Sequence, residues 1–223
     1  MRGALTAAVV LGVAAWWVYD QVATVQAAAD EAAAPELPFF DPWAYTETAI
    51  SDLQVSMTQD TRAASNEAAF LLMLRFAEGT AGVNGYRTLF GGSLFSSYDD
   101  HPRIAKQFTD GQGRRLWTTA AGAYQAMAVS PIPTGGSTKV NTWDRIKAKL
   151  GLRDFTPASQ DAFALELIRE AGALADVRAG RLADAINKVR GIWASLPGAG
   201  YSQPEKSLAA LTAAYQRNGG ALA

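Results

Sequence analysis

The sequence predicts an α+β fold that is mostly helical, with a small β-hairpin part. Three observations carry this. Apolar residues recur at helical spacing in four stretches: Leu71, Leu74 and Ala77; Phe163, Leu167 and Ala171; Leu182, Ile186, Val189 and Trp193; and Leu208, Leu211 and Tyr215. Between the first two stretches the chain is rich in Gly, Ser and Thr as far as about residue 140. Hydrophobic residues make up 49% of the 223, enough for a sizeable core in one ordinary domain with extra segments.

The N-terminal segment, residues 1–29, reads as a signal anchor or a signal peptide. Residues 3–19 carry no charge, and as a helix they span roughly 25 Å against a bilayer core of about 30 Å. Trp16, Trp17 and Tyr19 sit at one end, as interfacial aromatics do, and Arg2 precedes the run. This orientation keeps the N-terminus inside and exports the rest. The length favours an uncleaved transmembrane anchor. A cleaved signal peptide would use Val25-Gln26-Ala27 or Ala27-Ala28-Ala29, and a buried soluble helix ranks last because the run is apolar on all faces.

Residues 30–64 read as an acidic, Pro-containing linker, and residues 65–223 as the main domain. Ser65 or Asn66 is a predicted N-cap for a helix that runs to Glu78 and stops at Gly79. "YRTLFGGSLF" then places strand-forming residues on both sides of Gly91-Gly92, a two-residue hairpin signal. "GGSTKVNTW" marks a loop before a helix through Asp144 to Leu150. Thr156 followed by Pro157 opens the next helix. Ser202 or Gln203 before Pro204 is predicted to start the last one, which ends at Asn218-Gly219.

Composition excludes several chemistries. With no cysteine there are no disulfides, thiolate metal sites or cysteine nucleophiles, and a single histidine, His101, rules out a multi-histidine metal site. No metal or cofactor is expected. The net charge of −1 hides an asymmetry: no basic residue stands between Arg2 and Arg62, whereas from residue 61 onward 19 Lys and Arg face 13 Asp and Glu. A cationic domain suits an anionic polymer, either nucleic acid or cell wall. The basic residues are scattered rather than run together, so charge alone does not choose between them.

Glu78 is the residue that calls for chemistry. A helix C-terminus carries partial negative charge, and an adjoining apolar face adds desolvation. Both raise a carboxyl pKa. A carboxyl that stays protonated near neutral pH can serve as a general acid, which cleavage of a glycosidic bond requires. On local grounds alone, an exposed helix-end residue of no consequence is the commoner case.

Five blocks change that balance. "MLRFAEGT", "GGSLFSSYDDHPR", "TAAGAYQ", "LGLRDFTPASQDAFAL" and "AINKVRGIWASLPGAGYSQ" occur in the order found in phage endolysins of the lambda type, and this part of the chain, about residues 66–220, resembles that family. The resemblance implies a lysozyme-like domain and lytic transglycosylase activity, with Glu78 of "EGT" as catalytic acid. It places Tyr124 and Gln125 along the substrate cleft. The family motif has Arg before this Tyr-Gln pair; Ala123 here removes a charged contact with the glycan. Tyr201 and Gln203 are candidates to reach the cleft from the other side. Asp99 and Asp100 are candidates for a second carboxylate, which a hydrolytic muramidase would need; solvation at a hairpin end is the alternative for both. His101 is expected to fix a loop, and Trp193 to lie in the core.

The function implied is cleavage of the bond between N-acetylmuramic acid and N-acetylglucosamine, giving a 1,6-anhydro product in host lysis. The expected partners are peptidoglycan and, through the N-terminal segment, the inner membrane, with no nucleic acid. The protein is expected to be exported to the host periplasm and held first at that membrane. Hydrolysis is the alternative within the class, and a non-catalytic, membrane-tethered wall-binding protein the alternative outside it.

Overall fold

The structure is a computed structural model that describes the backbone of residues 42–200 and 204–223, and side chains from residue 55. The predicted anchor at residues 3–19 and the candidates Tyr201 and Gln203 lie outside the described residues. The chain divides into two compact units, Met1–Leu53 and Gln54–Ala223. Among the described residues no helix is long and apolar enough to cross a membrane.

The first helix, α1 (Pro42–Ala77), is 36 residues long. It does not begin at Ser65 or Asn66, and it takes in much of the segment expected to be linker. Both polar residues are used for tertiary bonds instead of a cap. The Asn66 amide donates to Arg178 O (3.0 Å) and accepts from Ala221 N (2.8 Å), while Ser65 Oγ donates to Gly219 O (3.1 Å). Side chains satisfied in this way no longer compete with the helix for its own backbone. Burial begins at Asn66, and Ala69, Phe70, Met73, Leu74 and Ala77 form the stripe that enters the core.

Beyond α1 the chain builds its small β part. The named strands are β1 (Lys106–Thr109) and β2 (Arg115–Thr118), antiparallel, with Lys106 opposite Thr118 and Thr109 opposite Arg115. Asp110 closes their turn: its carboxylate accepts from the backbone of Gln112 and Arg114. The predicted hairpin at Gly91-Gly92 is a turn, with both glycines at positive φ (82° and 87°), but its flanks do not extend into strands. Leu89 N donates to Ser93 O across a three-residue loop, Thr88 and Leu94 form a single antiparallel bridge, and Phe95 N donates to Arg87 O, so the flanks pair only briefly while Leu89 also bridges to Ala121. The Phe90 and Phe108 rings, 5.3 Å apart, join this turn to β1.

The remaining helices are α2 (Thr142–Leu150), α3 (Pro157–Glu170), α4 (Leu174–Ala179), α5 (Leu182–Val189) and α6 (Leu208–Arg217). Asn141 caps α2, and Thr156, with Pro157 after it, caps α3 as predicted. The last helix starts later than Pro204 would suggest. Glu205 instead accepts from Gly198 N and Gly200 N, and Lys206 N donates to Ser195 O, so the chain runs across a preceding loop until Ser207 caps α6. Trp193 is buried as expected, but beyond the end of α5 rather than on its stripe.

One aromatic cluster centres the core. The Phe155 ring lies 4.6 Å from Trp143, 5.7 Å from Phe95 and 5.0 Å from His101. Each such side chain taken from water contributes about 1.5–3 kcal/mol. The cluster ties the β part to α2 and α3, so that the loop carrying residues 119–126 has a rigid floor.

Candidate active site

The site begins where α1 ends. Glu78 N still donates to Leu74 O (2.9 Å); Gly79 then turns left-handed at φ 72°, its N–H reaching Phe76 O, and Thr80 N reaches back to Arg75 O (2.8 Å). These paired bonds form a Schellman stop, with Glu78 as the last residue of the turn. Thr80 is buried, and its hydroxyl donates to Ala123 O (2.5 Å). Arg75 donates to Thr80 O and Gly82 O and stacks over the Tyr86 ring at 4.4 Å. The three residues of "EGT" therefore do different things. Glu78 supplies the carboxyl, Gly79 reverses the chain, and Thr80 latches it onto the loop that carries Tyr124 and Gln125.

The Glu78 carboxyl is half-buried. Desolvation raises its pKa, and the hydroxyl of Ser195, donating to Oε1 at 2.5 Å, lowers it by less than burial raises it. The net effect is an acid that holds its proton to higher pH than a free glutamate. Oε1 accepts from Ser195, and Oε2 has no hydrogen-bond partner among the described residues. Ser195 lies within a block that resembles the family, yet nothing local singles it out.

The loop opposite is built around Gly122 and Gln160. A Cβ on Gly122 would come within 2.2 Å of Gln160 Oε1, which accepts from Ala123 N (2.8 Å). Ala123 is fully buried. Tyr124 is buried as well; its hydroxyl donates to Asp161 Oδ1 (2.6 Å), as does that of Tyr86 (2.8 Å), and its carbonyl accepts from Trp193 Nε1 (3.1 Å). Burial, with the charge of Asp161 next, pushes the Tyr124 pKa far up, so the phenol stays neutral. Gln125 is half-buried at φ 49°, a left-handed conformation strained for a residue with a side chain. Its amide nitrogen donates to Gly122 O (2.9 Å), and its Oε1 has no hydrogen bond among the described residues.

The two candidate second carboxylates belong to other surroundings. Asp100 accepts from Trp143 Nε1 (3.0 Å), Lys147 Nζ (2.9 Å) and Arg103 (3.2 Å). Burial raises its pKa, but these bonds outweigh it and hold the carboxyl well below the usual range. Asp99 is exposed, its backbone N–H on Ser97 Oγ. Neither shares a hydrogen-bond partner with Glu78. His101 fixes its loop as expected. Nε2 donates to Ala126 O (2.9 Å) and Nδ1 accepts from Arg103 N (3.0 Å), and burial depresses its pKa to about 4. The ring is neutral and bonded at both nitrogens.

This arrangement, a helix-end acid facing a loop braced by a β-hairpin, is a lysozyme-like architecture. Lysozyme from bacteriophage lambda, solved as a complex with a chitohexasaccharide, matches with a TM-score of 0.60 at 39% identity, over 71% of this chain and 97% of that one. A second structure of the lambda lysozyme gives a TM-score of 0.57 at 38% identity, over the same shares. The endolysin of Escherichia phage P2 is 42% identical over 169 residues, 70% of this chain and 93% of the relative. That of Escherichia phage lambda is 40% identical over 158 residues, 68% and 90% respectively. The Endolysin family profile matches residues 68–222, and the chain belongs to the endolysin family.

Proposed function

We propose that this chain cuts the glycan strand of peptidoglycan between N-acetylmuramic acid and N-acetylglucosamine, with Glu78 as its acid, and that it does so by transglycosylation. Peptidoglycan cleavage for host lysis follows from membership of the endolysin family. The lambda relative's complex with a chitohexasaccharide supports a sugar chain as the ligand of this fold. The observation that carries the mechanism is the desolvated Glu78 carboxyl, held at one oxygen by Ser195.

In this reading Oε2 of Glu78 protonates the oxygen that joins C1 of the muramoyl residue to the next sugar, and the C1–O bond breaks as the leaving hydroxyl forms. The carboxylate so formed then takes the proton of the muramoyl 6-hydroxyl while that oxygen closes on C1. One group gives and regains one proton, no water is consumed, and the product is a 1,6-anhydro sugar. The ion pairs of Asp100 and the exposure of Asp99 favour this route over hydrolysis, which requires a second carboxylate to activate water or attack C1. Gln125 and Tyr124 serve the cleft differently: Gln125 offers Oε1 to the glycan, and Tyr124 holds the loop through Asp161.

The domain reaches its substrate by export. The uncharged run at residues 3–19, with Arg2 before it and acidic residues after it, supports an inner-membrane anchor that leaves the catalytic part in the periplasm. Its high Ala and Gly content makes insertion weak, which suits later release. Four Ala or Gly to Leu replacements between Gly3 and Ala15 should hold the protein in the membrane fraction and delay lysis; unchanged release, or a mature chain starting near Ala28, contradicts anchoring.

Amide replacement separates the catalytic readings. Glu78→Gln should lower lytic rate by about a thousandfold or more with the fold unchanged, the scale of losing both acid and base roles. Asp99→Asn and Asp100→Asn should keep most of the activity of whatever protein folds. A folded Asp99→Asn or Asp100→Asn variant as inactive as Glu78→Gln would overturn the single-acid mechanism in favour of hydrolysis.

A further inference from the structure

We propose that Lys206 reads the substrate: its ammonium receives a carboxylate of the peptidoglycan strand beside the bond that Glu78 cleaves. This deepens the function proposed above and rests on it.

Three observations place the cation. Lys206 N donates to Ser195 O (2.8 Å), and the Ser195 hydroxyl is the partner of Glu78, so the backbone of Lys206 stands one residue from the acid's own support. The Lys206 Nζ lies 5.5 Å from the ring centroid of Phe76, in the last turn of α1 two residues before Glu78. Lys206 is exposed, and among the described residues its Nζ makes no hydrogen bond and has no carboxylate within ion-pair distance. Its neighbour Glu205 is already occupied by the backbone of Gly198 and Gly200.

The other cation at this helix end is committed. Arg75 spends its donors on Thr80 O and Gly82 O and its face on Tyr86. Lys206 thus keeps its three N–H donors, steadied by the face of Phe76 two residues before Glu78. An exposed ammonium of this kind favours an anionic acceptor. A plain chain of N-acetylglucosamine has no anion. The muramoyl residue differs by its lactyl ether, which ends in a carboxyl group or, when a peptide stem is attached, leads to the carboxylates of that stem. Lys206 therefore distinguishes the two sugars by charge and draws the muramoyl side of the bond toward Glu78.

The test measures binding, so that cleavage does not confuse it. Soluble glycan strands would be prepared in three forms: with stems, stripped of stems by an amidase so that lactyl carboxylates are free, and with stems whose carboxylates are capped as amides. The full chain carrying Glu78→Gln would be titrated with each by calorimetry, alone and with Lys206→Gln or Lys206→Arg added. Lys206→Gln should weaken binding about fivefold to the strands that carry the recognised carboxylate, stem-bearing or stripped, the scale of one solvent-exposed ion pair. Lys206→Arg should restore most of it, and capped strands should bind both proteins alike. A loss that persists on stripped strands assigns the lactyl carboxylate, and one seen only with stems assigns the stem. Equal affinity of the parent and Lys206→Gln for both stem-bearing and stripped strands, or an equal loss on capped strands, overturns the proposal. Failure of the Glu78 reading is seen separately, as cleavage of the strands by the Glu78→Gln parent.

Discussion

Ser195 grips one oxygen of Glu78, and that division of labour has consequences in pH. Removing the hydroxyl takes away the one bond that lowers the Glu78 pKa, while the burial that raises it stays. Ser195→Ala should therefore move the alkaline limb of kcat/KM to higher pH, and lower the maximum by about tenfold because the carboxyl is no longer oriented. A limb that does not move would assign it to another group. The raised pKa is also a cost to the fold. Its stabilising share is full below the unfolded value of 4.5 and is lost as pH rises through the higher folded value. Glu78→Gln should thus raise Tm at neutral pH, by about 2–4 °C for each kcal/mol relieved, and leave it nearly unchanged at about pH 4. Equal Tm at both pH values would contradict the buried, charge-averse site. The placing of Glu78 at a helix end was legible in "EGT", because a helix stripe, a carboxyl and a stop glycine are adjacent in sequence. Ser195 was not, because the contact spans 117 residues and a serine in a turn has no local signature.

Around the acid, three short elements work as one unit: the end of α1, the turn after it, and the loop at residues 119–126. Two glycines test that unit. A Cβ on Gly85 would sit 1.7 Å from the backbone oxygen of Thr80, and Thr80 latches the helix end to Ala123. A Cβ on Gly82, three residues earlier, meets nothing within 4 Å. Gly85→Ala should lose more than about 2 kcal/mol by denaturant melting, as overpacking against backbone does, and Gly82→Ala should stay within about 1 kcal/mol. Similar losses for both would contradict the latch. The cap at Thr156 was readable because side chain and helix start are neighbours in sequence; Asn141, which caps α2 in the same way, was passed over inside a loop. The starts of α1 and α6 were not. Ser65 and Asn66 resemble caps, but their partners Gly219, Arg178 and Ala221 lie more than a hundred residues away, and Pro204 is overruled by the bonds Glu205 makes to an earlier loop. The β1–β2 hairpin was also missed, although its Asp110-Gly111 pair was a local signal of the same kind as Gly91-Gly92.

Across the whole molecule, one buried histidine joins the β part to the helical core. His101 bonds to Ala126 O and Arg103 N and packs on Phe155, and in that setting it cannot accept a proton without losing the bond at Nδ1. Its folded pKa of about 4 lies below the ordinary 6.5, so its stabilising share is full above 6.5 and is lost as pH falls toward 4. Melting followed between these values should show stability decreasing, and His101→Gln should flatten the slope while lowering stability at neutral pH; an unchanged slope would assign it elsewhere. At this scale the mostly helical fold with a small β part was legible, since periodicity and glycine content are global features. How the halves face each other was not, because it rests on ring contacts such as Phe95 on Phe155 that no spacing reveals. The proposed mechanism, a single carboxyl acting as both acid and base, has a direct readout in the chemistry of the released sugar. Mass spectrometry of muropeptides freed by the purified protein should show N-acetylmuramic acid ends lighter by one water and resistant to borohydride, as 1,6-anhydro sugars are. Reducing ends of full mass, with a label taken up from heavy-oxygen water, would contradict it.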